Sequence, residues 1–232
     1  MTAKRNIALW TIALGLSGAF AAVAQVQAPV LNGATEGAGT PLAVSGTADV
    51  SKILTIQADD RVQGKKDAPL TIIEYASMTC SHCRDFSQST MPKIEEEWID
   101  TGKANYVLRH LPWDNLALAE AMVMRCAPES SYYPLAKAFF GAQEAIMKAA
   151  DPLSEVKQIA RFAGLNDEAV QACITDPAGH DAVTNMRTVA QRDLGIKGTP
   201  TIFVNGDRIE GAESYEKMLP ELQKAYKKAT GK

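Results

Sequence analysis

Leu70 to Phe86 reads LTIIEYASMTCSHCRDF, and the change of pattern within it decides the fold. Its first half, Leu70 to Tyr75, is a short apolar, β-branched run following Asp67-Ala68-Pro69, and predicts a buried strand. From Cys80 the pattern turns helical, with Thr79 available as N-cap. That helix is expected to run to about Ile99, kinked at Pro92, and to stop at Gly102. Ala104 to Arg109 (ANYVLR) then predicts a second strand, closed by Leu111-Pro112. Upstream, Ile53 to Ile56 predicts a preceding edge strand.

Further out the periodicity separates into blocks. Asn115 to Leu194 reads almost entirely as helix, punctuated by Asp151-Pro152, Gly164, Asn166 and Asp176-Pro177, and closed by Gly195. Thr201 to Val204 is again a strand, Asn205-Gly206 a two-residue hairpin turn, and Asp207 to Glu210 the return strand. Ser214 caps a terminal helix to about Lys228. A strand–helix–strand unit plus an antiparallel hairpin predicts an α/β fold, a mixed sheet flanked by helices. The helical block is too large for a connection and reads as an inserted subdomain.

The N-terminus has the form of an export signal. Lys4 and Arg5 precede an uncharged, mostly apolar run from Ile7 to Val23, and Ala22-Val23-Ala24 offers the small residues of a cleavage site. An uncleaved anchor is the alternative, because the apolar run approaches the length needed to span a bilayer. Residues 25–50, rich in Ala, Gly, Thr, Val and Pro, read as a flexible linker. A formal net charge of −3, with no basic tract interleaved with aromatics, argues against nucleic acid and anionic membrane surfaces as partners. In an oxidising compartment an even number of cysteines is expected to pair. The four here divide most simply into the local pair Cys80 and Cys83 and the distant pair Cys126 and Cys173.

Cys80-Ser81-His82-Cys83 carries the chemistry. Thiol–disulfide exchange needs a thiolate, an accessible sulfur and a second thiol in bonding range. A cysteine at a helix start meets unpaired backbone N–H groups and the positive end of the helix dipole, both of which stabilise its thiolate. Cys83, one turn on, can close the bridge, and His82 can add positive charge or an N–H donor beside Cys80. A metal site is the competing reading, but a lone C-x-x-C supplies two of the four ligands of structural zinc, with His110 and His180 distant in sequence. Two thiolates could still hold Cu(I). Cys126 and Cys173 read as a structural disulfide within the helical block, the alternative being two free buried thiols.

Leu70 to Phe86, Gly198-Thr199-Pro200-Thr201-Ile202-Phe203-Val204-Asn205-Gly206 and the helical block between them resemble the DsbA-like branch of the thioredoxin superfamily over roughly residues 53–228. The resemblance implies a thioredoxin-like domain from residues 51–112 and 195–232, with a helical insertion at 113–194. It implies that Cys80 attacks and forms mixed disulfides, that Cys83 resolves them, and that no cofactor is needed. Pro200 becomes the cis-proline facing the cysteine pair, and Thr199 offers backbone hydrogen bonds to an extended substrate. Glu74, six residues before Cys80, becomes the acid that exchanges protons with the resolving cysteine, a role its cost of burial also favours over a strand-end carboxylate reaching solvent.

The implied activity is that of a periplasmic thiol:disulfide oxidoreductase acting on reduced or unfolded exported proteins and reoxidised by a DsbB-like membrane partner, itself monomeric. Two positions depart from the best-known DsbA pattern. The dipeptide between the cysteines is Ser-His rather than Pro-His, and Thr199 before the cis-proline is common in isomerase relatives. A disulfide isomerase or reductase kept reduced by a membrane donor is therefore the second reading. Met122, Met124, Phe139 and Phe140 read as helix core, and Glu95-Glu96-Glu97 as a solvated face.

Overall fold

A computed structural model describes residues 49–231. The expected signal peptide and all but the last two residues of the expected linker lie outside the described residues. The described chain begins with a short helix, α1 (Val50–Ile53), whose first turn is capped by the Asp49 carboxylate accepting from Ser51 N at 3.1 Å. The edge strand expected at Ile53 to Ile56 is therefore absent there. A short apolar run carries no period that separates helix from strand; Ile53 ends the Asp49-capped helix, and Leu54 to Ile56 leave it as turn and irregular chain.

The edge strand is instead β1 (Val62–Gly64), which lies antiparallel to β3 (Ala104–His110) with Val62 opposite Val107. Gly64 is required there: its φ is +88°, and a Cβ would stand 2.8 Å from Ile99 Cγ2 and 3.1 Å from the Ala104 carbonyl. The central strand is β2 (Leu70–Ala76), parallel to β3 on one side and antiparallel to β4 (Thr201–Val204) on the other. With β5 (Asp207–Glu210) on the outside, the sheet order is β1-β3-β2-β4-β5. The β4–β5 turn puts Asn205 at φ 48° and Gly206 at φ 90°, as a two-residue hairpin needs. Asn205 also extends the sheet contact, its Oδ1 accepting from Thr71 N at 2.7 Å and its Nδ2 donating to the Pro69 carbonyl at 3.0 Å.

Both faces of β2 are covered, which explains its unbroken apolar run. Leu70, Ile72 and Ala76 join one core cluster with Cys83 and Phe86, while Ile73 and Tyr75 join another with Ala190, Leu194 and Phe203. By the alternation of a strand, Glu74 points to the same face as Ile72 and Ala76, toward the cysteines.

After β2 the chain enters α2 (Ser81–Ser89), with Cys80 itself as N-cap. Thr79, the expected cap, instead donates its hydroxyl to Asp114 Oδ2 at 2.6 Å. The single kinked helix expected to Ile99 is three pieces: α2, then α3 (Met91–Ile94), then a π-helical turn from Glu95 to Ile99. Pro92 sits in the first turn of α3, where its missing N–H costs nothing, so the proline starts a helix rather than bending one. Gly102, at φ +72°, leads into β3.

The helical block contains α4 (Asn115–Cys126), α5 (Tyr132–Lys148), α6 (Pro152–Ala160), α7 (Asp167–Thr175) and α8 (Pro177–Arg192). Asp151, Asn166 and Asp176 cap the last three of these with their side chains. Gly164, in the left-handed region, ends the turn after α6. The terminal helix is α9 (Tyr215–Thr230). Phe139, Phe140, Ile146, Val156 and Val170 of the block share a core cluster with Phe86 and Met91, so insertion and sheet domain pack as one unit. Each such large apolar side chain contributes roughly 1.5–3 kcal/mol by burial.

Candidate active site

The end of β2 delivers the chain to Cys80, whose φ of −81° and ψ of 119° are extended, so the helix starts one residue later. This geometry turns the first free backbone N–H groups of α2 toward the Cys80 sulfur. Five influences set its acidity. The Cys83 thiol hydrogen-bonds the Cys80 sulfur, which is the strongest effect, and partial burial opposes it. The Thr199 side chain and the backbone N–H groups of Cys83 and His82 add further hydrogen bonds. Together they bring the Cys80 pKa down to about 5 from an ordinary thiol value of 9.0. In its protonated form the thiol points at the Thr199 carbonyl, 3.3 Å away.

Cys83 lies one turn further into α2 and is fully buried. Burial pushes its thiol well above the ordinary value, reinforced by its hydrogen bond to Cys80 and by the nearby Glu74 charge. The pair is thus split into a half-exposed thiol that ionises readily and a buried thiol that holds its proton. Both cysteines are free thiols in this structure.

Glu74 is buried on the strand beneath them. The phenol of Tyr106, on the neighbouring strand, donates to Glu74 Oε2 at 2.5 Å, while Oε1 is buried without a partner. Loss of hydration raises the Glu74 pKa to about 8, against the opposing Tyr106 hydrogen bond and with help from the Cys80 charge. At neutral pH Glu74 is a protonated acid with one unclaimed oxygen, electrostatically coupled to both sulfurs.

The Thr199–Pro200 peptide bond is cis. Thr201 opens β4 opposite Tyr75 of β2, so the preceding Gly198-Thr199-Pro200 loop lies at the same end of the sheet as Cys80. The Thr201 hydroxyl braces the loop by donating to the Gly198 carbonyl at 2.8 Å. His82 supplies its backbone N–H to the site; its imidazole lies exposed on α2. Arg84 is turned to Asp85, 2.7 Å away.

Sequence reading overlooked two groups that touch this site. Gln143 of α5 is buried and donates its amide to the carbonyls of Met78 at 2.6 Å and Cys80 at 3.0 Å, so the insertion holds the active-site loop from above. A signal was available: Gln143 interrupts the apolar stripe that contains Phe139, Phe140 and Ile146. Trp113, half-exposed after Pro112, donates its indole N–H to Thr199 Oγ1 at 3.0 Å. Nothing in the local sequence marks it.

Cys126, at the end of α4, is bonded to Cys173 in α7. The bridge joins two helices of the insertion. Met122, Met124, Phe139 and Phe140 are buried in the helical block. His110 ends β3 in a fully buried position, its Nε2 2.9 Å from the Tyr132 hydroxyl, and burial pulls its pKa to about 3. Among the described residues no three His, Cys, Asp or Glu side chains converge as metal ligands.

The family model described as Thioredoxin matches residues 57–224. A Rickettsia bellii chain provisionally named protein-disulfide oxidoreductase is 28% identical over 159 residues, a match covering 67% of this chain and 60% of that one. Disulfide bond formation protein D of Bacillus subtilis is 25% identical over 176 residues, 72% of this chain and 77% of that protein. The crystal structure of Wolbachia pipientis alpha-DsbA1 is similar with a TM-score of 0.73 at 31% identity, covering 78% of this chain and 97% of that one. The chain thus spans about three fifths of the length of the rickettsial relative and nearly all of the Wolbachia structure.

Proposed function

The chain belongs to the DsbA-like branch of the thioredoxin superfamily, and from that membership we propose that it is a thiol:disulfide oxidoreductase that donates the Cys80–Cys83 disulfide to reduced exported proteins. The observation that carries the reading is the division of labour between the two sulfurs: Cys80 acidic and half-exposed, Cys83 buried and holding its proton above a protonated Glu74.

The cycle begins with the oxidised pair. A substrate thiolate attacks the Cys80 sulfur; the Cys80–Cys83 bond breaks, a substrate–Cys80 bond forms, and Cys83 leaves with the electron pair. Cys83 is a poor thiolate in its buried site, so it takes a proton, and Glu74 is the acid positioned to supply it. A second substrate thiolate then attacks the substrate sulfur of the mixed disulfide. The substrate leaves oxidised, and Cys80 departs as the thiolate its surroundings favour. The reduced enzyme passes two electrons to a DsbB-like membrane partner. The cleavable signal features of residues 1–24 support a periplasmic location, and among the described residues no helix is long and apolar enough to cross a membrane.

Thr199, before the cis-proline and of the type common there in isomerase relatives, supports a second reading, a disulfide isomerase or reductase kept reduced by a membrane donor. Mixing the oxidised protein with a reduced two-cysteine peptide separates the cases. Stoichiometric appearance of peptide disulfide, lost in Cys80→Ala, supports the donor; no transfer, with the reduced protein instead unscrambling a mispaired substrate, supports the isomerase.

A further inference from the structure

Trp113 is a large aromatic side chain, 44% exposed beside a catalytic cysteine. It is nevertheless fixed on both sides. The carbonyl of Pro112 before it accepts from Arg187 Nη1 at 3.3 Å. Asp114 after it caps α4 through Ala117 N at 2.8 Å and accepts the Thr79 hydroxyl at 2.6 Å, one residue from Cys80. Between these anchors the indole N–H donates to Thr199 Oγ1 at 3.0 Å. Thr199 also meets Cys80: the protonated thiol donates to its carbonyl at 3.3 Å, and the Thr199 side chain lowers the Cys80 pKa.

A hydroxyl has one proton and can accept while it donates. When Oγ1 accepts from the indole, its own proton is left for the sulfur, and each bond polarises the next. We propose that Trp113 is a positioning residue for Cys80: its indole N–H orients the Thr199 hydroxyl so that this hydroxyl donates to the Cys80 thiolate, making a relay of Trp113 N–H to Thr199 O–H to Cys80 sulfur. Trp113 touches no reacting atom and acts through Thr199 alone. The relay gives the tryptophan a share in the redox poise of the pair, because whatever stabilises the Cys80 thiolate stabilises the reduced enzyme. The inference rests on the proposed redox role of Cys80.

The test is a titration of the Cys80 thiolate by its ultraviolet absorbance in five proteins: wild type, Trp113→Phe, Thr199→Val, Thr199→Ser and the double variant Trp113→Phe/Thr199→Val. Trp113→Phe keeps the ring and removes the donor, and should raise the Cys80 pKa by about half a unit, roughly threefold in the thiolate equilibrium. Thr199→Val should raise it at least as far, and Thr199→Ser, which keeps the hydroxyl, should restore the wild-type value. In the Thr199→Val background Trp113→Phe should add nothing. The relay is overturned by an unchanged pKa in Trp113→Phe, or by an equal rise with and without the Thr199 hydroxyl. A wild-type Cys80 titrating near the ordinary thiol value would instead overturn the redox reading itself, and the relay with it.

Discussion

The Tyr106 phenol grips one oxygen of the Glu74 carboxyl at 2.5 Å and leaves the other, Oε1, buried and unpartnered beneath the cysteine pair. Burial outweighs the Tyr106 hydrogen bond, which favours the carboxylate, and raises the pKa from 4.5 to about 8. A group that binds its proton more tightly in the folded state stabilises the fold fully below its unfolded value. That stabilisation is lost as pH rises through the folded value. Glu74 therefore costs stability progressively between pH 4.5 and 8.

Glu74→Gln removes that titration and keeps an oxygen for Tyr106. The variant should gain roughly 2–4 kcal/mol over wild type at pH 8, with the two converging near pH 4.5. Disulfide transfer should slow by about ten- to a hundredfold, because Gln cannot hand Cys83 a proton. Urea unfolding across pH 4.5–8 checks the first expectation, and stopped-flow transfer to a peptide the second. Parallel stability curves for the two proteins would contradict the assignment.

Reduction of the Cys80–Cys83 bond should strengthen the fold at neutral pH. Cys80 is depressed to about 5, so its thiolate contribution is complete above the unfolded thiol value and vanishes as pH falls through 5. The sulfur is half-exposed, and solvent screening reduces the expected gain at pH 7 to about 1–2 kcal/mol. Unfolding midpoints of reduced and oxidised protein should therefore draw together from pH 7 to pH 4.5. A difference independent of pH would show that Cys80 is not the titrating group.

The amide of Gln143 serves two carbonyls, the buried one of Met78 and the part-buried one of Cys80. Gln143→Leu fills the same space and leaves the Met78 carbonyl unsatisfied, while the Cys80 carbonyl keeps the Arg84 N–H, at a cost of about 1–3 kcal/mol. Its unfolding midpoint should fall, and alkylation of Cys80 at pH 6 should change in rate as the loop loosens. A variant as stable as wild type would mean that water replaces the amide.

The Cys126–Cys173 bridge closes a sequence separation of 47 between α4 and α7. Replacing both cysteines with alanine should cost roughly 3–4 kcal/mol of stability. The reduction potential of the Cys80–Cys83 pair should be unaltered, since neither residue touches it. A changed potential would reveal coupling between insertion and active site.

How much of this was legible in the sequence follows the range of the forces involved. β2 and the β4–β5 hairpin stand where their residues predict, because a buried apolar run and an Asn-Gly turn are local signals. The caps at Asp151, Asn166 and Asp176 were equally local. Ile53 to Ile56 was misread because three apolar residues and a threonine carry no period, and the Asp49 cap that starts the helix ending at Ile53 lies outside the run. Thr79 was misread as the cap because its hydroxyl is claimed by Asp114, 35 residues away in sequence. The Cys80–Cys83 pair was readable from its spacing and its place after a strand. Trp113 and Gln143 were not, since each reaches the site across 60 or more residues of chain: 86 to Thr199 and 63 to Cys80.

The central claim is that the geometry around Cys80 makes the disulfide a strong donor. Equilibration of the protein with reduced and oxidised glutathione measures it directly. The account predicts a reduction potential toward the oxidising DsbA end, about −120 mV. A thioredoxin-like value near −270 mV would contradict it and mark the pair as a reductant.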